Sequence, residues 1–384
     1  MSFEQLTKEL KEIQESLLIF LEDESDGEEK YQDFLKVLRT SQITKSRQEI
    51  QLLLKLINQI GVNHRRNCNF IKKIEQVLEY LEDDIRKYFS NPEIFKFFEY
   101  NKRILLFLIE SEIIIIDECI VSLITSDRYE HLNYSEYFLP EISPFLTKKF
   151  IDKYKNQNKI LNYERFINKI TTYFPSDFKD KRREGERELE LYRIIRKNEI
   201  DEFISLINKL NLPFRSNIQK SIFETNIFLI RNSIEIIEYA AFFGSLDIVK
   251  YIHINGVDLE PNIWLYAIHS QNAELIKYLE DNNVPQPGNN YESILEESIK
   301  CHHNEISNYI IDNKIKEEEL QHNIDNNVYK NLYRYSFLYY NFFFFPSNMK
   351  NKYVLFYFCV SNYYLFVKLY LQQKNIDINT KFIK

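Results

Sequence analysis

The stretch Glu238–Asn262, EYAAFFGSLDIVKYIHINGVDLEPN, constrains this chain more than any other. Ala240 and Ala241 stand three to four positions before Gly244. A run Leu246–Ile252 then carries Leu246, Ile248, Val249 and Ile252 at helical spacing, and Asn255-Gly256 stops it. The pattern predicts two short helices and a tight bend. Small side chains let the helices touch, and glycine admits the left-handed backbone that the bend requires. Such a unit buries its apolar faces only against a neighbour, so one unit implies a stack.

The neighbours are visible as a fixed offset. Tyr266-Ala267-Ile268 and Glu274–Leu279 repeat Tyr239-Ala240-Ala241 and Asp247–Ile252 at a displacement of 27 (266 − 239; 274 − 247), and Asn283-Val284 stands where Gly256-Val257 stood. Ser298-Ile299 with Glu305-Ile306 and Tyr309-Ile310 follows 31 residues later (305 − 274). A last copy, Phe358-Cys359 with Phe366–Leu369, closes in Asn375–Asn379. The clearest repeats are thus 235–262, 263–290, 291–317 and 353–380, with room for a degenerate one through Asn331–Pro346. Ile194-Ile195 with Glu202–Ile204 is a weaker upstream copy, followed by the longer segment Asn211–Asn232.

Irregularities are expected. Asn262 and Ser293 are candidate helix caps. Lys314 falls in a left-handed slot at a cost of about 1 kcal/mol. Phe358 replaces an alanine, so the last two helices must sit farther apart. Stacking should turn irregular after residue 315, leaving a final apolar face exposed unless a partner or the aromatics cover it. The aromatic block Tyr333–Phe345 reads as a buried core, with a sticky partner surface as the alternative.

Upstream of residue 180 the chain reads as irregular helices. Ser2 with Gln5 forms a helix-opening cap, and Leu6, Leu10, Ile13 and Leu17 continue at helical spacing up to an acidic loop at Glu22–Glu29. Lys30–Leu38, Arg47–Gln59, Phe70–Phe89, Ile94–Phe98, Lys102–Glu110 and Asp117–Ile124 follow, with Ser90-Asn91-Pro92 as a start signal. Pro140 and Pro144 mark a break before Leu146–Tyr154 and Tyr163–Tyr173. The charged stretch Asp177–Glu190 is the candidate boundary. No segment alternates apolar and polar residues for long. The expectation is an all-α protein: an irregular helical region over 1–180 and a divergent repeat array over 181–384.

Composition removes several classes of function. Lys+Arg 50 against Asp+Glu 57 gives a net charge of −7, a poor match to nucleic acid or an anionic membrane. The basic clusters His64-Arg65-Arg66 and Lys181-Arg182-Arg183 read as solvated helix ends. Cys68, Cys119, Cys301 and Cys359 form no CxxC pair, and no apolar run reaches the roughly 18 residues of a membrane span. A cytoplasmic setting follows, with a nuclear one left open. The six glycines are isolated, so no phosphate cradle is present, and no GxSxG, HExxH or dinucleotide motif occurs. Neither a cofactor nor an enzymatic activity is expected.

Carboxylate runs such as Glu82-Asp83-Asp84 and Glu317–Glu319 read as charged helix faces, and Asp23, Asp26, Glu28 and Glu29 lack calcium-loop spacing. Cys301-His302-His303, with His269 and His322 elsewhere, is the nearest approach to a metal cluster. Adjacent helical residues point about 100° apart, and the repeat alignment puts His302 at the turn-glycine position. A turn-stabilising role is the preferred reading, and no metal is assigned.

The phrases SIFETNIFLI (Ser221–Ile230), EYAAFFGSLDIVKYI, WLYAIHSQNAELIKYL (Trp264–Leu279) and ESIKCHHNEISNYI (Glu297–Ile310) resemble the ankyrin repeat. Together with Lys73–Glu110 they are similar to a protist ankyrin family in which a helical region of unknown function precedes divergent repeats. No copy carries the Thr-Pro-Leu-His that opens a standard ankyrin unit. The resemblance implies an ankyrin-like α-solenoid that serves as a non-enzymatic scaffold for a protein or peptide partner. It also implies that the two positions before each turn glycine, with the finger tips, line a concave binding face. Those positions are Phe242, Phe243, His269, Ser270, Lys300 and Cys301, with Asp258 and Glu260 at a tip. An alternative is that Asn211–Phe228 or the N-terminal helices cover Phe242 and Phe243. The rival function is an enzyme or small-ligand module in the N-terminal half, with the repeats as its targeting arm.

Overall fold

The computed structural model describes residues 2–25, 27–64, 69–146, 176–231, 233–315, 327–346 and 354–372. Tyr163–Tyr173, most of Leu146–Tyr154, Arg65, Arg66, Cys68, Glu317–Glu319, His322 and Asn375–Asn379 lie outside the described residues. The protein is all-helical. No strand occurs among the described residues, and the nearest approach to one is an isolated bridge between Asn217 and Glu235.

In chain order the principal helices are α1 (Phe3–Glu22), α2 (Glu28–Thr40), α3 (Arg47–Asn63), α4 (Phe70–Tyr80), α5 (Asn91–Phe97), α6 (Lys102–Glu110) and α7 (Glu118–Ile124). They continue as α8 (Phe178–Glu184), α9 (Glu190–Arg196), α10 (Ile200–Leu210), α11 (Ile236–Phe242), α12 (Leu246–Ile254), α13 (Ile263–Ser270) and α14 (Ala273–Asp281). The last are α15 (Glu292–Lys300), α16 (Asn304–Ile310), α17 (Asn327–Leu338), α18 (Val354–Val360) and α19 (Tyr364–Leu371). They fall into two compact units, Met1–Asp84 with Gln286–Lys384, and Ile85–Pro285. Residue 180 falls on α8, inside the second unit.

In the second unit, α9–α10, α11–α12 and α13–α14 are successive hairpins packed side by side: α9 meets α11, α10 meets α12, and α11 meets α13. Ala240, Ala241 and Ala267 are fully buried, so small side chains do sit where these helices pack. The Gly244 bend is a left-handed cap. Gly244 has φ +71°, the Gly244 N–H donates to the Ala241 carbonyl at 3.0 Å, and the Ser245 N–H donates to the Ala240 carbonyl at 2.9 Å.

The same cap recurs without glycine. Asn198, His302 and Asn362 have φ of +54°, +59° and +57°, each followed by the paired backbone bonds. At Gln271 (φ +54°) the second bond is relayed, because the Ser270 hydroxyl accepts the Asn272 N–H at 3.1 Å and donates to the Ala267 carbonyl at 2.7 Å. In each case the next helix begins two residues after the left-handed position.

In the first unit, α15 pairs with α16 and packs on α17, which meets α18, and α18 meets α19. The N-terminal helices belong to this same body: α1 touches α2, α4, α19 and the turn Phe342–Phe344, while α19 also meets α3. Phe3 bridges Phe358 and Phe366 at ring-centroid distances of 6.0 and 5.5 Å. The aromatic block is mostly core, with Tyr335, Phe337, Phe342, Phe344 and Phe345 all buried.

Several expectations are corrected. Lys314 takes no left-handed backbone. α16 instead runs on into a π-helical turn, Ile311–Ile315, which lets the chain avoid the strain of a lysine side chain there. Asn262 makes no capping bond, and Ser293 lies within α15. The predicted helix Phe70–Phe89 is broken at Leu81. Arg182 is not a solvated helix end: it is 1% exposed and grips both oxygens of Glu141 at 2.7 and 2.8 Å. His64 is buried as well, its Nε2 3.1 Å from Glu22.

Candidate binding surface

Phe242 and His269 each stand two positions before a left-handed cap residue, Gly244 and Gln271. Because the caps match and α11 packs on α13, the two rings meet face to face, 4.9 Å apart with planes 29° from parallel. A third ring joins them from outside the hairpins. Phe228, on the five-residue helix Ile227–Arg231, lies 6.0 Å from Phe242, 4.3 Å from His269 and 5.1 Å from Tyr266. His269 and Tyr266 are buried, whereas Phe242 and Phe228 are half-buried. Burial, reinforced by Glu238, pushes the Tyr266 phenol well above its ordinary range.

Phe243 packs edge-on against Phe242 at 5.1 Å and also meets Tyr239, 4.8 Å away. Ser270 is buried and spends its hydroxyl on the relayed cap described above. Asp258 and Glu260 are exposed, and Asp258 pairs with Arg215 at 3.2 Å. In the first unit, Lys300 donates to Glu297 at 2.8 Å. Cys301 is fully buried: burial pushes its thiol far up, and its carbonyl lies 2.7 Å from His64 Nδ1. His302 occupies the left-handed slot, with its ring nitrogens 3.2 Å from the Lys300 carbonyl and 3.4 Å from the Tyr340 carbonyl. Burial, with a contribution from His64, lowers its pKa to about 3.

The segment that delivers Phe228 is bolted down by buried cations. Arg187 donates to the carbonyls of Gln219 and Leu229, the latter at 3.1 Å, and faces Glu224 at 3.5 Å. Lys102, from α6, donates to the Ile222 carbonyl at 2.7 Å and the Leu132 carbonyl at 3.3 Å. Burial lowers the Lys102 pKa to about 7. Thr225 donates its N–H (3.1 Å) and its hydroxyl (2.8 Å) to the Gly185 carbonyl. The repeat pattern did not single out Phe228, because it lies between repeats. The contact of Phe228 with Phe242 accords with the alternative that Asn211–Phe228 covers that ring, and the segment's length also marks it: 46 residues separate the caps at Asn198 and Gly244 (244 − 198), against 27 from Gly244 to Gln271 (271 − 244).

Among the described residues, no helix is long and apolar enough to cross a membrane. Compared with protein-family models, with curated proteins and with solved structures, the chain matches none.

Proposed function

We propose that this chain is a non-enzymatic scaffold, built from divergent ankyrin-like hairpins, that holds a protein or peptide partner on the face lined by Phe242 and His269. The observation that carries this reading is the recurrence of one left-handed cap at Asn198, Gly244, Gln271, His302 and Asn362 while the residue type changes. A geometry kept through such changes is what a stack of interchangeable units requires. The half-buried rings of Phe242 and Phe243, 5.1 Å apart, supply affinity, and the exposed carboxylates of Asp258 and Glu260 supply selectivity. A cytoplasmic setting accords with the three described cysteines being free thiols.

The test is affinity capture with mass spectrometry, comparing the native chain with a Phe242→Glu/Phe243→Glu variant of unchanged helical content. Partners held by the native chain should be lost from the variant. The same partners on both would refute this choice of surface.

A further inference from the structure

We infer that the segment Ser221–Ile230 is an internal occupant of this face, and that Phe228 holds the place which an aromatic side chain of a peptide partner takes. The inference rests on the scaffold reading above and adds to it the partner's chemistry and a means of control.

Phe228 meets rings from two neighbouring hairpins, Phe242 on α11 and Tyr266 and His269 on α13, with centroids 4.3–6.0 Å away. It stacks nearly parallel to Phe242 (19°) and edge-on to Tyr266 (73°). That combination fits a flat apolar ring and gives a branched aliphatic side chain much less. Phe228 nevertheless remains half-buried, so it sits at the surface of the unit rather than in its core. The extra 19 residues between the first two caps (46 − 27) bring it there.

The backbone of the segment is held on both sides of Phe228. Gln219, Ile222, Glu224 and Thr225 are fastened to Arg187, Lys102 and Gly185, and the Leu229 carbonyl accepts from Arg187 at 3.1 Å. The half-buried Phe228 ring can therefore swing out about its own side-chain bonds while the backbone stays anchored. A peptide presenting Phe, Tyr or Trp among apolar neighbours would replace it, and the tethered ring sets the threshold that such a peptide must exceed.

The experiment uses the full chain and a fluorescein-labelled peptide of residues 221–230 with a lysine added at each end. The native chain should bind it weakly and a Phe228→Ala chain at least tenfold more tightly. The gain should vanish when the peptide lacks the Phe228 ring or when the chain also carries Phe242→Ala. A folded Phe228→Ala chain that binds no better than the native one overturns the inference. Should Phe228→Ala lose helical content, Phe228→Leu carries the same comparison, since leucine fills space without stacking. No gain in peptide affinity together with partners lost on Phe242→Glu/Phe243→Glu would sink the occupant and leave the scaffold standing. A ring-dependent gain supports the occupant whatever the capture experiment returns.

Discussion

Two non-helical connections in this protein face the same physical problem and solve it with different chemistry. In the second unit, the segment after α10 buries carbonyls that no helix satisfies, and ionised groups meet them: Arg187 at Gln219 and Leu229, Lys102 at Ile222. In the first unit, the turn at Tyr340–Phe345 is held by neutral amides. Asn341 donates to the Ile299 carbonyl at 3.0 Å and to Asn304 Oδ1 at 2.8 Å. Gln14, from α1, donates to Asn341 Oδ1 at 2.8 Å and accepts the Phe342 N–H at 2.6 Å. Charged donors make stronger hydrogen bonds but suffer desolvation and can titrate. Amides do neither. The first connection should therefore respond sharply to loss of one partner and to pH above 7, the second to loss of geometry and, through His302 at the Tyr340 carbonyl, to acid alone.

The sharpest test is Arg187→Met. It leaves Glu224, 3% exposed at its side chain, without its cation. Breaking a buried pair in this way costs about 3–5 kcal/mol, read as a lower urea midpoint. Arg187→Met/Glu224→Leu should recover much of that loss, since an apolar pair carries no desolvation penalty. Asn341→Leu should be milder, about 1–3 kcal/mol, because it strands the Ile299 carbonyl and Gln14 but no charge. If Asn341→Leu destabilised the protein as much as Arg187→Met, the contrast between charged and neutral fastening would fail.

Acid and base should separate the two connections further. Burial lowers the Lys102 pKa from 10.5 to about 7, so between those values the unfolded chain binds a proton that the folded chain does not. Stability from this group therefore rises as pH goes from 7 to 10.5, and is lowest below 7. Above pH 10 the buried phenols of Tyr137 and Tyr239, with pKa values raised by burial, oppose it, because only the unfolded chain ionises there. Urea midpoints should climb from pH 7 to about 9.5 and flatten in Lys102→Met. His302, in the first unit, has the same sign in a more acidic window. Its pKa falls from 6.5 to about 3, so its contribution is complete above 6.5 and is lost as pH drops toward 3. A profile that climbs just as steeply in Lys102→Met would remove Lys102 as the cause.

The repeat hairpins were legible because their signals are local. The alanines at 240, 241 and 267 and the Asn283-Val284 stop lie within a few turns of the feature they mark, the offset of 27 repeats them, and α11 does pack on α13. Lys314 was misjudged because residue type names the strained slot but not the alternative of widening the helix into a π turn. Gln14 meeting Asn341 joins residues 327 apart in the chain, and neither carries a periodic signal. Phe228 was legible only as the end of a segment, Asn211–Phe228, that would cover Phe242. Which of its rings does so depends on how the insertion folds back, and that is not written in the sequence. Of the eight candidate binding residues, Phe242 and His269 are brought together, while Ser270 and Cys301 are turned inward by hydrogen bonding and burial that helix periodicity does not encode.

The smallest predicted effect serves as the internal control. The left-handed caps are alike in both units, so replacing a non-glycine cap residue should give the same sign in each, whatever fastens the nearby connection. Gln271→Gly relieves a side chain held at φ +54° and should raise stability by about 0.5–1 kcal/mol. Asn362→Gly, at φ +57°, should gain less, because asparagine tolerates this region better than glutamine. The converse, Gly244→Ala, places a Cβ at φ +71° and 3.2 Å from the Cβ of Asn272, and should lose about 1 kcal/mol. Thermal midpoints of the three variants measure this directly. If Gln271→Gly and Asn362→Gly moved in opposite directions, the caps would not be equivalent, and differences between the units could no longer be ascribed to their connections.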